Sequence, residues 1–147
     1  MILPKLTIYS DGSFHQKLKT GGWASIIIHD EMVEEFYGKV EKTNSSNRME
    51  MLAIINALEK VQSSSEITIF TDYQTIAIGF SQKLVDKWKS NDWKSKHGKD
   101  ILNKDLWKRI ADLSTNHKID WRWIPSHSGN FYNDYCDRLA SEARKHL

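Results

Sequence analysis

Three carboxylates stand where the chain changes from one pattern to another. Asp11 follows Lys5-Leu-Thr-Ile-Tyr-Ser10, Asp72 follows Glu66-Ile-Thr-Ile-Phe-Thr71, and Glu50 follows the turn-and-cap run Thr43-Asn44-Ser45-Ser46-Asn47. The first two runs are rich in β-formers and predict strands, closed by Asp11-Gly12 and by Asp72. Carboxyl ends of neighbouring strands are where open α/β sheets place ligands. Beyond Glu50, the residues Met51, Ile54, Ile55, Leu58 and Val61 recur at helical spacing. Glu50 is therefore expected in the first turn of an amphipathic helix. Small Ala53 and Ala57, on one face with Glu50, would let that helix press close to the sheet. Gathered carboxylates repel one another, and one of them would hold a proton unless a cation intervened. Hard Mg²⁺ or Mn²⁺ takes oxygen ligands and keeps room for water and phosphate. Two such ions about 3.5–4 Å apart can clamp the attacking and leaving oxygens of a phosphodiester. Taken singly, each acid also fits a plain role: Asp11 a turn, Glu50 a helix N-terminal charge, Asp72 an N-cap. A fourth acid is open between Asp134 and Asp137, both near the start of the last helix.

The elements that must position these groups follow from the same patterns. Strands are expected at 5–10, 23–28, 32–40, 66–71 and 118–124. Helices are expected after Glu50, at about 73–80, 82–90 and 100–113, and at about 131–145. The order is β-β-β-α-β-α-α-α-β-α. The first three strands form an antiparallel meander, and the fourth is reached through a helix. That predicts a mixed α/β sheet covered on both faces.

Composition narrows the class. The 147 residues suit one domain, 1–147, and 39% hydrophobic with 27% charged residues is an ordinary globular balance. No apolar run reaches the roughly 20 residues of a membrane helix, and the N-terminus has no signal-peptide pattern. Cys136 is the lone cysteine, which excludes an internal disulfide and a cysteine zinc site and points to a reducing cytoplasm. Gly-x-Ser-x-Gly, Gly-x-x-x-x-Gly-Lys and His-Glu-x-x-His are all missing, so a serine elbow, a phosphate loop and a zinc helix are not indicated. Net charge is only +2, yet residues 83–109 hold nine Lys/Arg against four Asp, interleaved with Trp88, Trp93 and Trp107. This stretch is a candidate nucleic-acid contact or a solvated helical face with tryptophans turned inward.

Five segments, in order, resemble the type 1 ribonuclease H family over nearly the whole chain. They are Tyr9-Ser10-Asp11-Gly12-Ser13 followed by Gly21-Gly22-Trp23; Asn47-Arg48-Met49-Glu50-Met51; Phe70-Thr71-Asp72-Tyr73-Gln74; Trp123 through His127-Ser128-Gly129; and Asn133-Asp134-Tyr135-Cys136-Asp137-Arg138-Leu139-Ala140. The resemblance implies a ribonuclease H-like fold: a five-stranded mixed sheet, three strands antiparallel and two added in parallel, flanked by helices on both faces. It implies an endonuclease that hydrolyses the RNA strand of RNA–DNA hybrids, leaving 5′-phosphate and 3′-hydroxyl ends. Two Mg²⁺ ions, replaceable by Mn²⁺, would be held by Asp11, Glu50, Asp72 and Asp137. The family's Asn-x-x-Cys-Asp pattern thus selects Asp137 over Asp134. His127, otherwise a solvated loop histidine, matches one that assists proton transfer or product release.

The same resemblance implies contacts to the hybrid from Gly12, Ser13, Ser46, Asn47 and Gln74 at the minor groove. It also implies a basic protrusion, about 82–100, whose Lys87, Trp88, Lys89, Trp93 and Lys94 meet the DNA strand. Ser46 stands where asparagine is usual, and 14–20 lacks the common Asn/Pro/Gly character. The chain begins almost at the first strand, so no separate N-terminal hybrid-binding module is expected; the starting Met, compact length and C-terminal helix favour a free-standing protein, with a monomer as the default expectation. The competing readings are a nuclease of the same fold acting on DNA, a reverse-transcriptase domain and a non-catalytic hybrid-binding module.

Overall fold

A computed structural model describes residues 2–146; Met1 and Leu147, at the ends of the expected 1–147 domain, lie outside the described residues. The elements are β1 (Lys5–His15), β2 (Thr20–His29), β3 (Met32–Val40), α1 (Ser46–Lys60), β4 (Glu66–Thr71), α2 (Gln74–Ser81), α3 (Leu84–Ser90), α4 (Lys104–Ser114), β5 (Lys118–Trp123) and α5 (Phe131–His146). The expected order holds. The sheet runs β3-β2-β1-β4-β5. The pairs β1–β2 and β2–β3 are antiparallel, and β1–β4 and β4–β5 are parallel.

Side chains alternate across each strand, so paired residues share a face. Ile8 pairs with Ile27 and Ile69, and all three are buried on one face. Against them pack Met51, Ile54, Ile55 and Leu58 of α1 and Leu106, Trp107 and Ile110 of α4. The other face is covered by α5, which packs on β1, β2 and β3. Gly21 and Gly22 show how tightly the sheet is sandwiched. A Cβ on Gly21 would strike Met49 of α1, and one on Gly22 would strike the Ala140 carbonyl of α5. Adjacent strand residues point to opposite faces, so this dipeptide lets two helices approach from two sides.

Several expected boundaries change: β2 begins at Thr20 rather than 23, and α4 at Lys104 rather than about 100. β1 does not end at Asp11-Gly12. It continues to His15 because β2 pairs with it from Thr7↔Ile28 to His15↔Thr20. Glu50 is the fifth residue of α1, not part of its first turn, because the helix begins at Ser46. Ser45 caps it, its hydroxyl accepting from the Asn47 and Arg48 amides. Val61 is the C-cap in extended conformation, so α1 stops one residue short of the last apolar position.

Candidate active site

Asp11 sits where β1 loses one neighbour. The parallel ladder to β4 ends at Ser10↔Thr71, while the antiparallel ladder to β2 runs on. Past that point β4 turns away at Asp72 and α2 begins, which opens a crevice between the strands. Asp11 is 3% exposed, and its Oδ1 accepts the Gly12 amide at 2.8 Å. Glu50 enters from above. An added Cβ at Gly12 would lie 2.6 Å from the Glu50 nitrogen, so only glycine there allows α1 to come this near Asp11. Carboxylate oxygens of Asp11, Glu50 and Asp72 lie within 4.8 Å of one another.

The plain alternatives for these acids do not apply. Asp11-Gly12 is strand, not turn. Asp72 caps no helix: α2 has Tyr73 at its N-cap with no side-chain cap bond. Its Oδ2 instead accepts the Ser126 hydroxyl at 2.7 Å. Helix α5 supplies the remaining wall. Asn133 and Asp137, one helical turn apart, share a face and line a cleft of about 200 Å³ with Asp11, Gly12, Glu50, Asp72, Ser126 and His127. Asp134 does not line it; it lies in the first turn of α5, its amide bonded to the Asn130 carbonyl.

The electrostatics are those of a site short of positive charge. Burial, with the charges of Asp72 and Asp137 adding to it, pushes the Asp11 carboxyl up to about 7. Burial and then the Asp11 charge hold Glu50 well above the usual carboxylate range. Glu50 Oε2 and Asn133 Oδ1 are buried without a hydrogen-bond partner. Such atoms are costly to leave unsatisfied. Cys136, fully buried nearby, stays a neutral thiol: burial first, then the Asp11 charge, raises it. It packs and does not act as a nucleophile.

Of the other expected residues, Gly12 and His127 line this cleft and the rest lie outside its lining. The Ser13 hydroxyl is engaged by α5, accepting from Arg144 Nε at 2.9 Å. Ser46 and Asn47 open α1 about one turn before Glu50, and Gln74 opens α2 two residues after Asp72. His127 lines the cleft on an exposed loop with φ 56°. Lys87 and Lys89 are exposed on α3. Lys94 pairs with Asp100 at 3.3 Å. Trp93 is 8% exposed within the core, and Trp88 meets Trp107 edge-on at 4.9 Å between centroids. The structure gives both rings a packing role.

Two cleft residues, Asn133 and Ser126, were not singled out by sequence reasoning. Asn133 carried a signal, since it begins the motif that ends in Asp137. Ser126 carried none, because its importance lies in one hydrogen bond. Cleft size is no guide either. A larger opening, about 740 Å³, lies at the other end of the parallel strands, among Lys5, Thr7, Glu66, Lys118 and Asp120. Its lining mixes two lysines, Lys5 and Lys118, with Asp30, Glu66 and Asp120 and, among the described residues, gathers no group of carboxylates like that of the smaller cleft, so the donor set, not the volume, picks the site.

The family model described as RNase H matches residues 4–145. The chain is 38% identical over 143 residues to the Ribonuclease H of Acetivibrio thermocellus, covering 97% of each chain. It is 37% identical over 139 residues to the Ribonuclease H of Wolbachia sp. subsp. Drosophila simulans, covering 95% of this chain and 94% of the relative. Among solved structures, it resembles LC9-RNase H1, a type 1 RNase H with the type 2 active-site motif, with a TM-score of 0.85 at 23% identity over 99% of this chain and 74% of the other. It also resembles LC11-RNase H1, solved in complex with RNA/DNA hybrid, with a TM-score of 0.72 at 20% identity over 95% and 96%. The fold, the gathered acids and the match along nearly its whole length agree that this chain belongs to the ribonuclease H family.

Proposed function

We propose that this ribonuclease H is a metal-dependent endonuclease that hydrolyses the RNA strand of RNA–DNA hybrids at the Asp11–Glu50–Asp72 cleft. One observation carries the reading. Three carboxylates are pressed together, Asp11 is raised to about 7, and a buried Glu50 oxygen has no partner. The donors are all hard oxygens, which suits Mg²⁺ and, in its place, Mn²⁺. Asp11, Glu50 and Asp72 would hold such ions, with Asp137 from α5 closing the set at the cleft wall. Bound there, a pair of them supplies the charge that acidifies an attacking water and stabilises a leaving 3′-oxygen.

The chain's own residues do the rest. The middle of β1, the end of β4 and α1 carry the carboxylates on rigid elements before substrate arrives. His127, on a solvent-facing loop at the cleft mouth, would pass a proton to the departing oxygen or assist product release. Gly12 of the cleft lining, with Ser13, Ser46, Asn47 and Gln74 a few residues along the chain from the carboxylates, would read the minor groove, where 2′-hydroxyls mark the RNA strand. Lys87, Lys89 and Lys94 of the 82–100 protrusion neutralise phosphates of the DNA strand. We read 1–147 as a single domain. No described helix is long and apolar enough to cross a membrane. With one buried cysteine, the protein is read as cytoplasmic, and as a monomer.

The test is cleavage of labelled RNA–DNA hybrid, double-stranded RNA, double-stranded DNA and single-stranded RNA, with Mg²⁺ or EDTA, by wild-type protein and Asp11→Asn. The expected result is cutting of hybrid RNA alone, abolished by EDTA and by the substitution. Equal cutting of duplex DNA would move the protein to another nuclease class of this fold. Hybrid binding without cutting would make it a binding module.

A further inference from the structure

The segment that carries His127 leaves β5 and crosses directly over Asp72. Three hydrogen bonds tie it there. The Ile124 amide donates to the Thr71 carbonyl at 3.0 Å, which extends the β4–β5 ladder by one residue. The Trp123 indole N–H donates to the Asp72 carbonyl at 3.2 Å. The Ser126 hydroxyl donates to Asp72 Oδ2 at 2.7 Å. The next residue, His127, has a φ of 56°. A side-chain-bearing residue in the left-handed region is strained by about 1–3 kcal/mol and persists where its surroundings hold it.

Asp72 itself has few other constraints. Among the described residues, the Ser126 hydroxyl is the only side-chain partner of its carboxylate. Without that bond the carboxylate would be free to turn about its side-chain torsions, and ordering it would oppose ligand capture. Partners of ligating carboxylates commonly fix orientation in this way.

We propose that Ser126 is a positioning residue with two coupled effects. It pre-orients the Asp72 carboxylate for a divalent cation, and through the same bond it holds the loop that presents His127 at the cleft mouth. The inference rests on reading Asp11, Glu50 and Asp72 as cation-holding groups. It assigns to a single serine hydroxyl the link between that set and the histidine. Threonine keeps the hydroxyl and serves in its place; alanine and glycine do not.

The experiment is a Mg²⁺ titration of substrate-free protein by calorimetry, on wild type, Ser126→Ala, Ser126→Thr and Asp72→Asn. Ser126→Ala is expected to weaken Mg²⁺ binding roughly tenfold, the lower end of what such partners contribute, and Ser126→Thr to restore it. Ser126 is exposed, so the thermal midpoint of Ser126→Ala should equal that of wild type. On hybrid substrate, Ser126→Ala should lower kcat, and much of that loss should vanish in a His127→Ala background. Wild-type protein that binds no Mg²⁺ would overturn the cation reading and this inference with it. Wild-type binding left unchanged by Ser126→Ala would overturn the role of Ser126 alone. Full additivity of Ser126→Ala and His127→Ala in kcat would overturn the coupling.

Discussion

The acidic cleft and the basic protrusion place charge in opposite ways. In the cleft, carboxylates are pressed into a crevice; Asp11 is buried and Glu50 Oε2 has no partner. In the protrusion the lysines face water, the apolar rings of Trp88 and Trp93 pack on the core, and Lys94 and Lys104 share Asp100. The protrusion's charges are met by water and by Asp100. Those of the cleft are not: its carboxylates crowd one another and a buried Glu50 oxygen has no hydrogen-bond partner. Groups strained in this way give up stability, which is the usual mark of a functional site.

The comparison breaks first at Trp93. If its ring is a core element, Trp93→Ala should destabilise the protein by about 3–5 kcal/mol while leaving the salt slope of hybrid binding unchanged. Chemical denaturation and a salt titration measure the two. A small stability change with a flattened slope would return Trp93 to the substrate surface.

The cleft comes next, through pH. Asp11 is raised from 3.8 to about 7 in the folded chain. The folded state therefore binds the proton more tightly than the unfolded state does. The stability linked to this group is fully present below about pH 3.8 and is lost as pH rises through about 7. Metal-free protein should melt at a lower temperature at pH 8 than at pH 5. Mg²⁺ should recover the loss at pH 8, and Asp11→Asn should make the pH dependence shallower, by about 1–3 kcal/mol. Calorimetric melting with EDTA or Mg²⁺ reads all three. Identical pH slopes for wild type and Asp11→Asn would mean that the carboxyl is not strained.

The smallest effect belongs to the exposed lysines. Lys87→Ala with Lys89→Ala should leave the thermal midpoint nearly unchanged. The logarithmic salt slope of hybrid binding should flatten by about 1 for each phosphate contact removed. An unaltered slope would leave α3 as a solvated face.

Some of this was legible in advance. The order of elements followed from alternation and helical spacing, because burial imposes those periods directly on residue type. Met51, Ile54, Ile55 and Leu58 went to the core as their spacing required. Boundaries were less legible. Nothing local in Ser10-Asp11-Gly12 says that β1 continues, since the strand is sustained by pairing with a β2 whose Gly21 and Gly22 must also accommodate α1 and α5. The choice between Asp134 and Asp137 shows the same limit. Residue type does not separate them, and the motif register pointed to the one whose helical face turns to the cleft.

By itself, then, the sequence determined the element types, the acids available for chemistry and the resemblance that ordered them. These are encoded in composition and short-range spacing. Only the tertiary structure decided that Asp11 lies inside a continuing strand, that Glu50 reaches it across a glycine, that Trp93 packs rather than contacts solvent, and that Ser126 grips Asp72. Each of these depends on residues distant in sequence meeting across packed layers, and pairwise geometry of that kind leaves no periodic trace in a single chain.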